Sequence, residues 1–336
     1  MMFRLLCFDG GGIRGLITAL LVQDLETGYG IVSSANGFAG TSTGGLIALA
    51  LAKGVKVDAV INIYQTQGKK IFDPNGWLLE NAAKLAEDMD PDAADVLFSG
   101  PGVFECQYTN KGLIEIATKL LGSTLLRDCT KYVAVNSARL WDGHSWMATT
   151  LSNATGNAWS AVSMADAALA TSAAPTYFPP HAIGNDGYFA DGGTFANNPC
   201  MTALADARSG GHFDSLDDVR VLSLGTGNVN QGIPPGAMHD PLDWGVTHWM
   251  WPFASGKVPA MPLLDLMMTC TSQVATQEAR HLLADRFCRG NVLLPQPYAL
   301  DDWEHVAELE KLTRAYMQTA EWAAVRAWVK RNWSGA

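Results

Sequence analysis

Three short stretches carry groups able to do nucleophilic chemistry. Gly40-Thr41-Ser42-Thr43-Gly44 sets one hydroxyl in a G-x-S-x-G frame, between a short apolar run (36–40) and a strongly apolar one. That is the strand–turn–helix context in which such a serine is lifted on a sharp turn, at a helix start that favours developing negative charge. Asp9 is followed by Gly10, Gly11 and Gly12, then by Arg14 and Gly15. Three successive glycines are costly to order, so bare backbone must be needed there. Unhindered amides at a helix start can hold an oxyanion, with Arg14 adding charge or bracing the loop. Asp191 precedes Gly192 and Gly193 at the end of the run 187–191. A carboxylate within reach of a serine can act as general base if burial raises its pKa from about 3.9.

Each stretch also has an ordinary reading. Ser42 could cap a helix, Asp191-Gly192 could be a turn, and the glycine loop could only allow close packing. Gly10, Gly12 and Gly15 formally satisfy the dinucleotide fingerprint, but no carboxylate lies in 31–43, where its ribose ligand belongs. No lysine follows the serine turn as a P-loop requires. None of the seven histidines sits in a recognisable motif; His181, after Tyr-Phe-Pro-Pro, is held in reserve as a partner for the serine.

The elements that must position these groups alternate between strand and helix. Strands are expected at 3–8, 36–40, 131–140, 144–152, 187–191, 219–227 and near 290–294. Helices are expected at 15–25, 42–54, 58–70, 110–121, 164–174, from 198 onward and near 259–284, with a long helical tail over 303–332. Residues 71–108 read as an insertion with a short helix at 77–87 that could serve as a lid. The alternation predicts an α/β fold with a mostly parallel sheet covered on both faces, and strand ends gathered along one edge. The expected organisation is a catalytic domain over 1–300 and a helical extension over 301–336 packed on it.

The 336 residues are 48% hydrophobic and 17% charged, enough for a large core and far from the composition of a disordered chain. The net charge of −10 argues against nucleic acid as a partner and against purely electrostatic attachment to anionic membranes. Six cysteines without paired or metal-ligand spacing read as reduced thiols in a cytoplasmic protein, with no metal and no cofactor implied. No run reaches the roughly 18 apolar residues of a membrane span, and the first strand leads straight into the glycine loop.

Taken together, "DGGGIRG" (9–15), "GTSTGG" (40–45) and "DGG" (191–193) resemble the patatin-like phospholipase family, as do "ATSAAPTYFPP" (170–180) and "LSLGTG" (222–227). The resemblance covers about residues 1–230; the C-terminal third carries no family signature. It implies a three-layer α/β/α fold and calcium-independent hydrolysis of lipid acyl esters through a Ser–Asp dyad. Residue by residue, Ser42 matches the nucleophile and Asp191 the base. Gly10, Gly11 and Gly12 match the oxyanion loop, with Arg14 in support. The implied partner is a membrane lipid substrate, with peripheral membrane contact and a homo-oligomer both left open. Some bacterial relatives act as toxins or defence effectors, so a latent enzyme triggered by a partner or nucleotide is one alternative. A non-catalytic phosphate- or nucleotide-binding module is the other.

Two further stretches bear on lipid access. "DWGVTHWMWPF" (243–253) could be an interfacial patch, but the reading taken here is a core cluster or a wall of an acyl tunnel. The tail sets Trp322, Val325, Trp328 and Val329 on one helical face, expected to dock on the core or on a second copy.

Overall fold

The computed structural model describes residues 2–76, 105–238, 240–250, 258–259 and 261–333. Most of the insertion, including the expected helix at 77–87, lies outside the described residues. One sheet organises the chain. Its strands are β1 (Phe3–Phe8), β2 (Gly37–Thr41), β3 (Tyr132–Arg139), β4 (Met147–Ser152), β5 (His181–Ala182), β6 (Tyr188–Asp191), β7 (Val219–Leu224) and β8 (Phe287–Gly290). The order is β5-β6-β3-β2-β1-β7-β8, with β4 paired to β3. β3, β2, β1, β7 and β8 are mutually parallel, whereas β4 and β6 run antiparallel to β3.

The side-chain period of two on β1 divides the interior into two cores. Leu6 and Phe8 pack with the helices Gly15–Tyr29, Thr43–Ala52 and Met164–Thr171. Phe3, Leu5 and Cys7 pack on the opposite face with Cys200–Ser209 and Pro262–Leu283. Every residue of β1 is buried, as a strand sandwiched between two helical layers requires. The result is the expected three-layer α/β/α arrangement.

Residues of the tail enter the first core. The expected single helix is two, Val306–Tyr316 and Ala320–Asn332. Trp322 is fully buried, its indole N–H donating to Asp24 (2.8 Å), and Arg326 pairs with the same carboxylate. Trp328 and Trp333 are buried too, with their N–H groups on the carbonyls of Asp285 and Ile31. The tryptophan face of the tail therefore points inward.

Two expectations are corrected. The last strand is Phe287–Gly290, not 290–294: Val292 and Leu294 are buried, but they follow the strand and form only an isolated bridge, Asn228 to Leu293. The stretch from 243 is not a core cluster over its described part. Leu242, Val246 and Met250 are exposed, and Trp244 and Trp249 are half-buried and stacked edge to face; 251–253 lie outside the described residues.

Candidate active site

The three glycine-framed stretches meet at the carboxyl ends of β1, β2 and β6. Thr41, the last residue of β2, pairs with Asn136 of β3. Asp191, the last residue of β6, pairs with Ser137. β4 occupies the other edge of β3 along this stretch. The carboxyl ends of β2 and β6 therefore abut on one edge of β3, from opposite directions. Ser42, one residue past Thr41, is thereby delivered to Asp191.

Ser42 adopts φ 55°, ψ −126°, left-handed backbone that side-chain-bearing residues rarely visit. Its neighbours hold it there. Its amide donates to the Thr171 hydroxyl (2.9 Å), and the Thr41 hydroxyl donates to the Ala196 carbonyl (2.7 Å). The glycines around it permit the close approach. A Cβ on Gly40 would lie 2.1 Å from the Gly44 carbonyl oxygen, and one on Gly44 would lie 2.1 Å from that of Phe8. The helix Thr43–Ala52 begins at the next residue, so its amino end points at the serine.

The Asp191 carboxyl is buried beside Ser42 and accepts a hydrogen bond from the Gly193 amide (2.7 Å to Oδ1). Burial pushes its pKa up to about 6; the nearby Ser42 hydroxyl and the Gly193 amide oppose that rise without cancelling it. His181 does not approach this pair: its Nε2 lies 3.0 Å from Asp166 Oδ1, a hydrogen bond that holds the Asp166 carboxyl below the ordinary carboxylate range. Among the described residues, no histidine lines the pocket that contains Ser42 and Asp191.

The glycine loop crosses the same pocket, and its three glycines differ. Gly10, expected among the anion-binding donors, instead gives its amide to the Asn197 carbonyl (3.1 Å), and its own carbonyl accepts from Thr226 (2.7 Å). Gly11 and Gly12 line the pocket beside Ser42, and among the described residues nothing accepts from their amides. Arg14 braces the loop through Nε to the Gly11 carbonyl (3.3 Å). Ile13 anchors it to the Leu300 carbonyl (2.7 Å). Asp9, at the loop's entry, is buried against Arg289, whose Nη1 lies 3.0 Å from its Oδ1, and it accepts from the Ser272 hydroxyl (3.2 Å).

The rest of the pocket is apolar. Leu46, Ile71 and Phe178 line it, joined by Leu264 and Met268 from the helix Pro262–Leu283. These last two were invisible to sequence reasoning, because they sit in a helix without a motif. Thr171 and Phe178 fall in the 170–180 stretch, and Thr226 in the 222–227 stretch, whose likeness to the family was the available signal. Among the described residues, no cluster of side chains has metal-binding composition, and no helix is long and apolar enough to cross a membrane.

Comparison with known proteins identifies the family of the chain. A family model described as patatin-like phospholipase matches residues 6–204. A cGAMP-activated phospholipase of Escherichia coli (strain TW11681) is 31% identical over 264 residues, covering 74% of this chain and 68% of the relative. A protein of the same name from Vibrio cholerae serotype O1 is 29% identical over 255 residues, covering 70% and 67%. Among solved structures, VipD from Legionella pneumophila is 15% identical with a TM-score of 0.40, over 94% of this chain and 67% of that one. The family match takes in the glycine loop, the serine turn and the Asp191-Gly192-Gly193 turn, and it spans more than half of the sequence: the chain belongs to the patatin-like phospholipase family.

Proposed function

We propose that the chain is a serine lipid acyl hydrolase of phospholipase A type, with Ser42 as nucleophile and Asp191 as its base. The observation that carries this reading is a serine held at φ 55° in one pocket with a buried carboxyl, Asp191, whose pKa is raised to about 6. A carboxyl tuned to that range is ionised at neutral pH yet basic enough to take a proton in the transition state.

Ser42 Oγ attacks the ester carbonyl carbon as its proton passes to Asp191. The carbonyl π pair moves onto oxygen, and that oxyanion lies against the Gly11 and Gly12 amides and the amino end of Thr43–Ala52. Loss of one such donor costs about 3 kcal/mol of barrier. Collapse of the intermediate expels the alcohol, which takes the proton back from Asp191 and leaves an acyl-serine. Water then attacks the acyl carbon, giving its proton to Asp191, which passes it to Ser42 Oγ as the acyl–Oγ bond breaks and the fatty acid leaves. Gly10 and Arg14 hold the loop in shape. The apolar pocket receives the acyl chain. No step calls on a metal, so activity is expected to survive chelation of calcium. The setting proposed is the cytoplasmic face of a membrane.

The test is incubation of the purified chain with a mixed lipid extract and mass analysis of the products, alongside Ser42→Ala and Asp191→Asn. Fatty acid and lysolipid should appear with the native chain and fall by about three orders of magnitude or more in either variant. Near-native turnover in a folded variant would remove that residue from the mechanism. A second reading, control by a nucleotide signal, is favoured by the cGAMP-activated relatives. It is tested by repeating the assay with and without cGAMP.

A further inference from the structure

The pocket shares a wall with an exposed apolar surface. The helix Pro262–Leu283 opens with Pro-Leu-Leu-Asp-Leu-Met-Met. Leu264 and Met268, four residues apart, face the pocket. Leu263, Leu266 and Met267 are exposed. Packed against this helix is the short helix Val246–Trp249, in a segment where Leu242 is 92% and Val246 78% exposed. Trp244 and Trp249 stand half-buried beneath them, ring centroids 5.1 Å apart. Apolar side chains thus run from open solvent over one helix to the lining around Ser42. Concentrations of exposed apolar groups of this kind mark interaction sites.

We infer that this surface, Leu242–Met250 together with Leu263, Leu266 and Met267, is where the protein docks on a lipid bilayer, and that the docking is hydrophobic and not electrostatic. The inference rests on the hydrolase reading above. An acyl chain leaving a bilayer for the pocket needs an apolar path, and here the path and the exposed surface are two sides of one helix. Tryptophans at the base of the surface suit the headgroup depth of a membrane. Charge argues for the mode of binding. The charged residues of the segment 240–270 are Asp240, Asp243 and Asp265 against one lysine, Lys257, so the segment is net negative, and the whole chain carries −10. Such a face is repelled by anionic headgroups and gains only from burying apolar side chains, which loosely packed lipid admits best.

The experiment is flotation of the full chain with phosphatidylcholine vesicles, loosely packed (small, unsaturated) or tightly packed (large, saturated), at low and high salt. Hydrolysis of a water-soluble short-chain ester is measured in parallel. The native chain should bind the loose vesicles, equally at both salt concentrations, and gain nothing from added anionic lipid. The triple variant Val246→Ser/Leu263→Ser/Met267→Ser should bind at least about tenfold more weakly while keeping its short-chain activity. Trp146→Ala, in the exposed hairpin turn between β3 and β4, should bind as the native chain does.

Native-like vesicle binding by the triple variant would overturn the inference. So would parallel loss of both readouts, loss of binding in Trp146→Ala alone, or binding that needs anionic lipid and fades with salt. A native dimer that the triple variant dissociates in sedimentation would also overturn it, by assigning the face to a second copy. Ser42→Ala should float as the native chain does. Continued hydrolysis by that variant would count against the catalytic reading while leaving the docking result standing.

Discussion

Thr41 and Asp191 face consecutive residues of β3, Asn136 and Ser137, from the same edge of that strand. Two strands that end head to head bring Ser42 and Asp191 together without either depending on a flexible loop. The register also explains the glycines after Asp191. A Cβ on Gly192 would lie 2.3 Å from the Asn136 carbonyl oxygen, so the chain can turn there only if the residue has no side chain. Sites carried on strand ends are held more closely than sites on loops.

The strained serine is the first consequence to test. Ser42→Ala and Ser42→Gly both remove the hydroxyl beside Asp191, and differ only in the Cβ. At φ 55°, ψ −126° a Cβ costs about 1–3 kcal/mol, partly offset by the greater freedom of glycine in the unfolded chain. Ser42→Gly is therefore expected to be more stable than Ser42→Ala by about 1 kcal/mol in urea denaturation, with both inactive. Equal midpoints would show that the turn is not strained.

Two carboxyls, the buried Asp191 and the exposed Asp265, have pKa values raised to about 6, in each case chiefly by loss of surrounding water. For a carboxyl raised in the fold above its unfolded value of about 3.9, the native state binds the extra proton. Its contribution to stability is complete below about pH 4 and is lost as the pH rises through 6. Asp191→Asn should therefore stabilise the fold at pH 7–8, by up to about 3 kcal/mol, and the gain should vanish near pH 4. Activity follows the opposite course. The base must be ionised, so kcat/KM for a short-chain ester should climb about tenfold per unit below pH 6 and level off above it. Asp265→Asn should leave that limb in place, because Asp265 faces Arg14 and not the serine. Disappearance of the limb in Asp265→Asn would reassign it.

How much of this was legible in the sequence depends on whether the cause is local. Glycines that let backbones approach leave a local mark, so the serine turn, the loop and Asp191 could be read from residues 9–15, 40–45 and 191–193. The alternation of β1 between two cores follows from its period and could be read too. The fate of the Gly10 amide could not, because its acceptor, Asn197, comes from another strand's connection. Leu264 and Met268 were missed since apolar side chains facing a ligand pocket have the same composition as those in a core. For that reason too, the stretch from 243 reads as a core cluster or a tunnel wall, although Val246 and Met250 stand in solvent. Trp322 shows the reverse: a tryptophan on an amphipathic tail finds its hydrogen-bond partner, Asp24, only in the folded chain.

The glycine loop distinguishes backbone cost from lost chemistry. Gly12 has φ +57°, and a Cβ there would lie 2.1 Å from the Leu300 carbonyl oxygen, the acceptor that anchors Ile13. Gly12→Ala must displace the loop, and with it the amides proposed to hold the oxyanion. A fall of about 100-fold in kcat with a smaller change in KM is expected. Gly211 has φ +75° and open space around it, so Gly211→Ala meets the same backbone penalty without a clash. It should cost about 1 kcal/mol of stability and leave kcat unchanged. A native kcat in Gly12→Ala would place the donors elsewhere.

Asp9 and Arg289 join the end of β1 to β8 across β7, and Arg289 also donates to Ser223 (2.7 Å) on the strand between them. Both side chains are almost fully buried. Removing one partner of such a pair leaves a buried charge uncompensated, at a cost of about 3–5 kcal/mol, whereas replacing both by apolar groups costs far less. Arg289→Met alone should therefore destabilise strongly, and Asp9→Leu/Arg289→Met should recover at least about 2 kcal/mol relative to the sum of the single variants. Asp9 immediately precedes the loop, so the double variant separates stability from positioning. If the pair serves only the fold, the double variant regains activity with its stability. If the pair also aims the glycine amides, kcat stays low in a protein that denatures at near-native urea concentration. The second outcome is expected, because the Asp9 carboxylate fixes the direction in which β1 hands the chain to Gly10. A double variant with native stability and native kcat would reduce the pair to a structural tie.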